Sequence, residues 1–242
     1  MSSRQRGLLL LALALGCSSL QGDTSGVVAI EVVSPRTALL EDRDTLNMAT
    51  RTLSARALNL QGDSIDAPIK WTSADSLAVI IDSVIPYVVG AGTSGSPRLQ
   101  ARIGSLGSAV ITFSLGPRSD TLTLLGSDSI VVPPGGLVSD SLDVALMTYD
   151  SAGVAPISNR RLFFAITSPV FANPADRTVE FTNGGLADTA VTGATGDPIS
   201  GVRLSRITGK TAPDSVVVTV SARRPSGRAV PGLTRPIRVY FQ

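Results

Sequence analysis

Among the 242 residues there is no histidine and one thiol, Cys17. A Ser–His–Asp triad is thereby excluded, because the chain holds no imidazole to take the serine proton. Glutamate occurs at Glu31, Glu41 and Glu180 only, and no acidic pair sits in a setting suited to the paired carboxylates of glycoside hydrolysis. Lys70 and Lys210 are the lysines, and neither stands in an S-x-x-K motif. Zinc and other borderline-soft ions favour His and Cys ligands, which leaves calcium as the metal to consider. Asp42 with Asp44, or Asp140 with Asp143, could offer it carboxylate oxygens. No D-x-D-x-D-G loop with a bidentate glutamate frames either pair, and both read as solvated turn acids. The chain is thus expected to be non-catalytic, with no metal and no other cofactor.

Two further groups of residues could bind rather than react. Trp71, the lone tryptophan, could serve as a platform for a sugar ring, but an apolar strand follows it and it reads as a core plug. The last forty residues hold Arg203, Arg206, Lys210, Arg223, Arg224, Arg228, Arg235 and Arg238 against Asp214 alone. A face of this kind could hold an acidic polysaccharide or a phosphate-rich surface by charge, with Arg223, Arg224 and Arg228 in one loop as the candidate ligand-binding residues. No aromatic residues interleave with them for base stacking, so no nucleic-acid partner is expected.

The thiol is explained by its position. Arg4 and Arg6 precede an apolar run from Leu8 to Gly16, too short to span a bilayer as a helix, which takes about 20 residues. A basic start, a short apolar core and a small residue at its end are the parts of an export signal. Ala14-Leu15-Gly16-Cys17 resembles the lipobox of bacterial lipoproteins, with Ala where Leu is more usual. The resemblance implies cleavage before Cys17 and acylation of its sulfur and new amine, so the only thiol is an anchor and not a nucleophile. Each buried methylene of such chains contributes about 0.8 kcal/mol to membrane attachment. Ser18, in place of an aspartate, resembles the outer-membrane sorting signal of these lipoproteins. Loss of Arg4 and Arg6 takes the basic residues from 21 to 19, against 19 acidic ones, so the mature chain is near neutral.

Beyond residues 1–16 and a polar tether over 17–26, the chain reads as short alternating strands separated by turn residues, with no amphipathic helix. Val28, Ile30 and Val32 form one stripe; Ala109, Ile111, Phe113 and Leu115 form another. The same alternation recurs at Leu142 to Leu146, Leu162 to Ile166, Val216 to Val220 and Ile237 to Phe241. Gly116-Pro117 marks a boundary between domains of 27–117 and 118–242, because proline removes a ladder donor and Arg118 to Asp120 is polar.

Residues 27–116 resemble the group 2 bacterial immunoglobulin-like domain. The likeness rests on Val27 to Val33 followed by Pro35, on Thr52 to Gly62 ending in a glycine turn, and on Trp71-Thr72-Ser73-Ala74-Asp75 before the apolar Leu77 to Ile81. Between Asp82 and Arg98 the chain departs from that pattern. Residues 118–242 are similar to the invasin- and intimin-type bacterial immunoglobulin-like domain through Leu142 to Tyr149, the turn Asp150-Ser151-Ala152-Gly153, Leu162 to Ile166 and Ser215 to Ala222. The segment from Ser168 to Asp214 is longer than that pattern. The resemblances imply an all-β protein of two tandem immunoglobulin-like sandwiches after a lipoprotein signal. Its expected role is that of a non-catalytic adhesion, scaffold or spacer module in the cell envelope, held to the membrane through the N-terminal lipid. An envelope protein or a glycan is the expected partner. Two other roles stay open: a carbohydrate- or polyanion-binding module using the basic C-terminal domain, and an accessory subunit of a surface complex joined through strand edges. Nothing in the sequence assigns a ligand or an oligomeric state.

Overall fold

The computed structural model describes residues 26–33, 39–47, 54–83, 87–150, 153–211 and 213–242. The signal segment, Cys17 and the tether as far as residue 25 lie outside them. Among the described residues there are 22 β-strands and a single short helical turn, Pro174–Asp176, so the fold is all-β. None of these residues forms a helix long and apolar enough to cross a membrane.

The chain divides into two compact units. The first takes Asn47–Val88, Pro97–Thr112 and, of the chain before them, residues 26–33; the second takes Leu39–Leu46, Val89–Ser96 and Phe113–Gln242. In the first unit Ala29–Val33 pairs antiparallel with Ser54–Leu58, which also pairs with Ser64–Ile65. A second sheet centres on Arg98–Ile103, flanked by Leu106–Gly107, Ile111–Thr112 and Lys70–Ser73. Alternate residues of these strands turn inward, giving a core of Ile30, Ala57, Trp71, Leu99 and Ala101, to which Ala78 of the strand Ala78–Asp82 adds. Trp71, 5% exposed and opposite Ala101, is a core side chain and not a surface platform.

The W-T-S-x-D stretch has a structural job in this unit. Ser73 donates through its hydroxyl to the Asp75 carbonyl at 2.6 Å. The Asp75 carboxylate accepts from the backbone N–H groups of Leu77 at 3.1 Å and Arg98 at 3.0 Å. One acidic side chain thereby satisfies two donors that the turn would otherwise leave open.

The second unit is a sandwich of two main sheets. Five strands lie in the order Ser129–Val132, Ile237–Phe241, Ser215–Ala222, Arg161–Ser168, Ala187–Val191. The first two run parallel and the others antiparallel. The opposing sheet is Thr121–Leu124, Val144–Asp150, Gly153–Pro156. Leu122, Val144 and Leu146 from this sheet meet Val132, Leu162, Phe164, Val216, Val218, Ile237 and Val239 from the other in one continuous core. The long segment after Ser168 adds Val179, Phe181 and Leu204 to that core through the short pair Val179–Phe181 and Leu204–Arg206.

The stripe expected as one strand over Ala109 to Leu115 is two. Ile111–Thr112 pairs with Arg98–Ile103, whereas Ser114–Gly116 pairs in parallel with Leu39–Glu41. Phe113 between them is buried. Period-2 alternation continues across such a change of sheet, which is why periodicity alone does not reveal it.

Candidate functional site

The three loop arginines do not share an environment. Arg223 and Arg228 are exposed, at the ends of a tight turn in which the Arg224 N–H donates to the Arg228 carbonyl at 2.9 Å. The Arg223 guanidinium donates to the Gly227 carbonyl at 3.1 Å. Arg224 turns inward: its Nε donates to the Ser119 carbonyl at 2.7 Å, and its terminal nitrogens lie 3.6 Å from Asp120 and 3.9 Å from Asp44. The other basic residues of the C-terminal stretch are dispersed. Arg206 lies over the Phe241 ring at 5.4 Å, Lys210 donates to the Ala175 carbonyl, and Arg235 pairs with Asp128 at 3.8 Å.

Arg224 belongs to a buried charged cluster inside the second unit. Glu41, 1% exposed, ends a strand whose neighbour Leu40 packs in the core. One of its oxygens accepts from the Ser119 hydroxyl at 2.7 Å and from Arg160 Nε at 3.0 Å; the other accepts from the Ser119 N–H at 3.0 Å. Asp120 takes Arg118 Nε at 2.6 Å on one oxygen and the Tyr149 N–H at 2.8 Å on the other. Asp44 is buried beside Arg224, and its Oδ1 accepts no hydrogen bond. Three carboxylates thus face three guanidinium groups. The balance of charge suits a structural clamp, since each carboxylate lies beside a guanidinium. Glu41 and Asp120 have both oxygens taken up by protein donors.

Around the corner from this clamp the second unit carries an open groove of about 780 Å³, lined by Asp42, Arg43, Gly90 to Thr93, Tyr149 and Asp150. Asp42 forms an isolated bridge with Gly90, and its carboxylate accepts from the Gly92 N–H at 2.8 Å. Arg43 has φ of 54°, the left-handed region that costs a side-chain-bearing residue, and its N–H donates to the Gly90 carbonyl at 2.9 Å. Gly90 is needed for close approach: a Cβ there would stand 2.5 Å from the Glu41 carbonyl oxygen. Tyr149 is 57% exposed, while its backbone is held by buried Asp120.

Among the described residues no three of His, Cys, Asp and Glu gather to hold a metal ion. Asp42 and Asp44 diverge, one into the groove and the other into the clamp. Asp140 and Asp143 contribute backbone carbonyls to local hydrogen bonds, accepting from the Ser139 hydroxyl and the Leu125 N–H respectively. The groove and the clamp were not singled out from sequence. The signal that could have pointed to them is the charged run Glu41-Asp42-Arg43-Asp44 directly after Leu39-Leu40.

No family model and no curated protein matches the chain. Solved structures resemble it at low identity. The adhesin InvE of Yersinia pseudotuberculosis is 17% identical with a TM-score of 0.39, covering 91% of this chain and 61% of its own. Domains 4–9 of the surface layer protein SbsC are 15% identical at 0.28, covering 90% and 32%. The D00-D0 domain of Intimin is 13% identical at 0.28, covering 87% and 96%. The chain therefore spans less than two thirds of the first two of these structures. Scores and identities of this size carry nothing about ligand or partner.

Proposed function

We propose that this is a non-catalytic, lipid-anchored module of a bacterial cell envelope, acting in adhesion or as a scaffold or spacer. The observation that carries the reading is Cys17, the only thiol, placed directly after Ala14-Leu15-Gly16 at the end of a signal-like segment. An exported chain with one cysteine has no disulfide partner to offer it, whereas a thioether-linked lipid uses it fully. In this reading Ser18 directs the protein to the outer membrane, and the β units present loops and strand edges to an envelope protein or a glycan. The pairing of Glu41 with Arg160, and of Arg224 with Asp44 and Asp120, supports a structural role for the second unit's buried charge.

The test is intact mass and detergent partitioning of the native protein beside Cys17→Ala. A chain beginning at Cys17 with added acyl mass, lost in the variant together with detergent partitioning, is the expected result. An unmodified mass and an aqueous protein would remove the anchor and, with it, this function.

A second reading, polyanion binding by the basic C-terminal stretch, is favoured by the exposure of Arg223 and Arg228 on one turn. It requires retention on heparin that fades with added salt and falls when both are replaced by alanine. Retention unchanged by the double substitution would dismiss that turn as the site.

A further inference from the structure

We infer that the outer face of the five-stranded sheet in the second unit binds an acidic polysaccharide, with Arg161, Phe163 and Arg238 as its contacts. This does not depend on the envelope-anchor reading, and it uses neither Arg223 nor Arg228 of the basic turn.

The first observation is which side chains the strands turn outward. Leu162 and Phe164 enter the core, so Arg161 and Phe163 of the same strand stand on the opposite face. The same alternation buries Ile237 and Val239 and leaves Arg238 exposed between them. Cross-strand register sets the neighbours of Phe163, with Thr189 on one side and Ser221 on the other, both exposed. The strand that carries Phe163 is hydrogen-bonded on both sides, so this is sheet surface and not an edge. Phe163 is nevertheless 41% exposed. An aromatic side chain left in water between two hydroxyls offers apolar surface with donors and acceptors beside it. Sugar rings carry the complement, C–H and O–H groups on one small frame.

The second observation is charge. The five strands contain one acid, Asp188, and it stands opposite Phe164 on the other side of the sheet, accepting from Asn183 at 2.9 Å. Among the described residues no carboxylate pairs with the guanidinium of Arg161 or of Arg238. The face is therefore positive without internal neutralisation, which selects an anionic ligand. The third is spacing. Arg238 is level with Val217, which meets Ser168 at the far end of the strand that Arg161 opens. At about 3.3 Å per residue the two cationic positions lie about 20 Å apart along the strands, with Phe163 between them. A small anion reaches one of them; a linear chain with repeated charges engages both, and linked weak contacts reinforce one another. Single-stranded nucleic acid is also anionic, but stacking successive bases takes a row of exposed aromatics. Tyr240, the other outward aromatic, is half-buried, which leaves Phe163 alone.

The test is titration calorimetry of the full chain with hexagalacturonate, heparin hexasaccharide, maltohexaose and an oligothymidylate. Binding of at least one acidic hexasaccharide, weakened by added salt, is expected, and the preferred one tells a carboxylate ligand from a sulfate ligand. Arg161→Glu and Arg238→Glu should each weaken it roughly threefold to tenfold, and Phe163→Ala roughly fivefold. Both arginines are exposed, so thermal unfolding of the two charge variants should match the parent, which keeps the test decisive if Phe163→Ala does not fold. Arg223→Ala with Arg228→Ala should leave the affinity within about twofold. A loss confined to that last pair would move the site to the turn and overturn the assignment. So would absence of binding to both acidic hexasaccharides, tighter binding of maltohexaose or the oligothymidylate, or acidic-saccharide binding that both charge reversals leave undiminished.

Discussion

Along the run Glu41-Asp42-Arg43-Asp44, four consecutive charged residues divide between two environments a few ångströms apart. Glu41 and Asp44 are buried with Ser119 beside the half-buried Arg160 and Arg224, whereas Asp42 and Arg43 line an open groove beside Tyr149. Glu41 closes a strand, so its side chain follows the pleat opposite to its neighbour. Arg43 at positive φ then turns the chain and returns Asp44 to the inside. All four are charged, and what they differ in is where their partners lie: Glu41 and Asp44 meet theirs in the interior, Asp42 and Arg43 meet theirs at the groove. Glu41, with the two Ser119 donors and the Arg160 guanidinium, is buried at tolerable cost, whereas buried Asp44 has only the Arg224 guanidinium 3.9 Å from its Oδ1.

The buried side of this comparison is the one most easily broken. Glu41→Ala leaves Arg160 and both Ser119 donors without their acceptor, and a loss of about 3–5 kcal/mol is expected. Urea unfolding followed by circular dichroism should show it as a lower midpoint at unchanged slope. A shift near zero would mean that the cluster is solvated in solution. Arg224→Ala removes the donor to the Ser119 carbonyl and one partner each of Asp44 and Asp120, and should cost about 1.5–3 kcal/mol in the same measurement.

Gly90→Ala tests the seam between the two environments. Its Cβ would meet the Glu41 carbonyl oxygen at 2.5 Å and the Leu115 side chain at 2.8 Å, so about 1–3 kcal/mol of overpacking is expected. The contact with backbone leaves little room for a flexible neighbour to yield. Smallest of all is the effect of Arg223→Ala with Arg228→Ala. Both side chains are exposed, and stability should stay within about 0.5 kcal/mol of the parent. Set beside Arg224→Ala, this pair asks whether one loop really contains both a structural arginine and two solvated ones.

Much of the fold was legible because strands announce themselves locally. Leu142 to Leu146, Leu162 to Ile166, Val216 to Val220 and Ile237 to Phe241 each present alternating apolar residues, and each set reaches the second unit's core. Trp71 read as a core plug because an apolar strand follows it, and the structure buries it. The candidate site was legible in one respect only, as a basic loop. That Arg224 leaves that loop for the interior was hidden, because its partners Asp44, Ser119 and Asp120 lie far away in sequence. Arg118 to Asp120 shows the same gap from the other side. The segment is polar and reads as part of a domain boundary, yet Ser119 and Asp120 are buried.

By itself, then, the amino-acid sequence determined the all-β class, the inward stripes of the strands and the absence of histidine chemistry, since each follows from residue type and a spacing of two. It also set Cys17 apart as the only thiol. The tertiary structure decided which charges are buried and which face the groove, and it alone brought Leu39–Leu46 and Val89–Ser96 into the second unit to build both clamp and groove. Desolvation of a charge is compensated only by partners in three dimensions, and no local pattern records where those partners will come from.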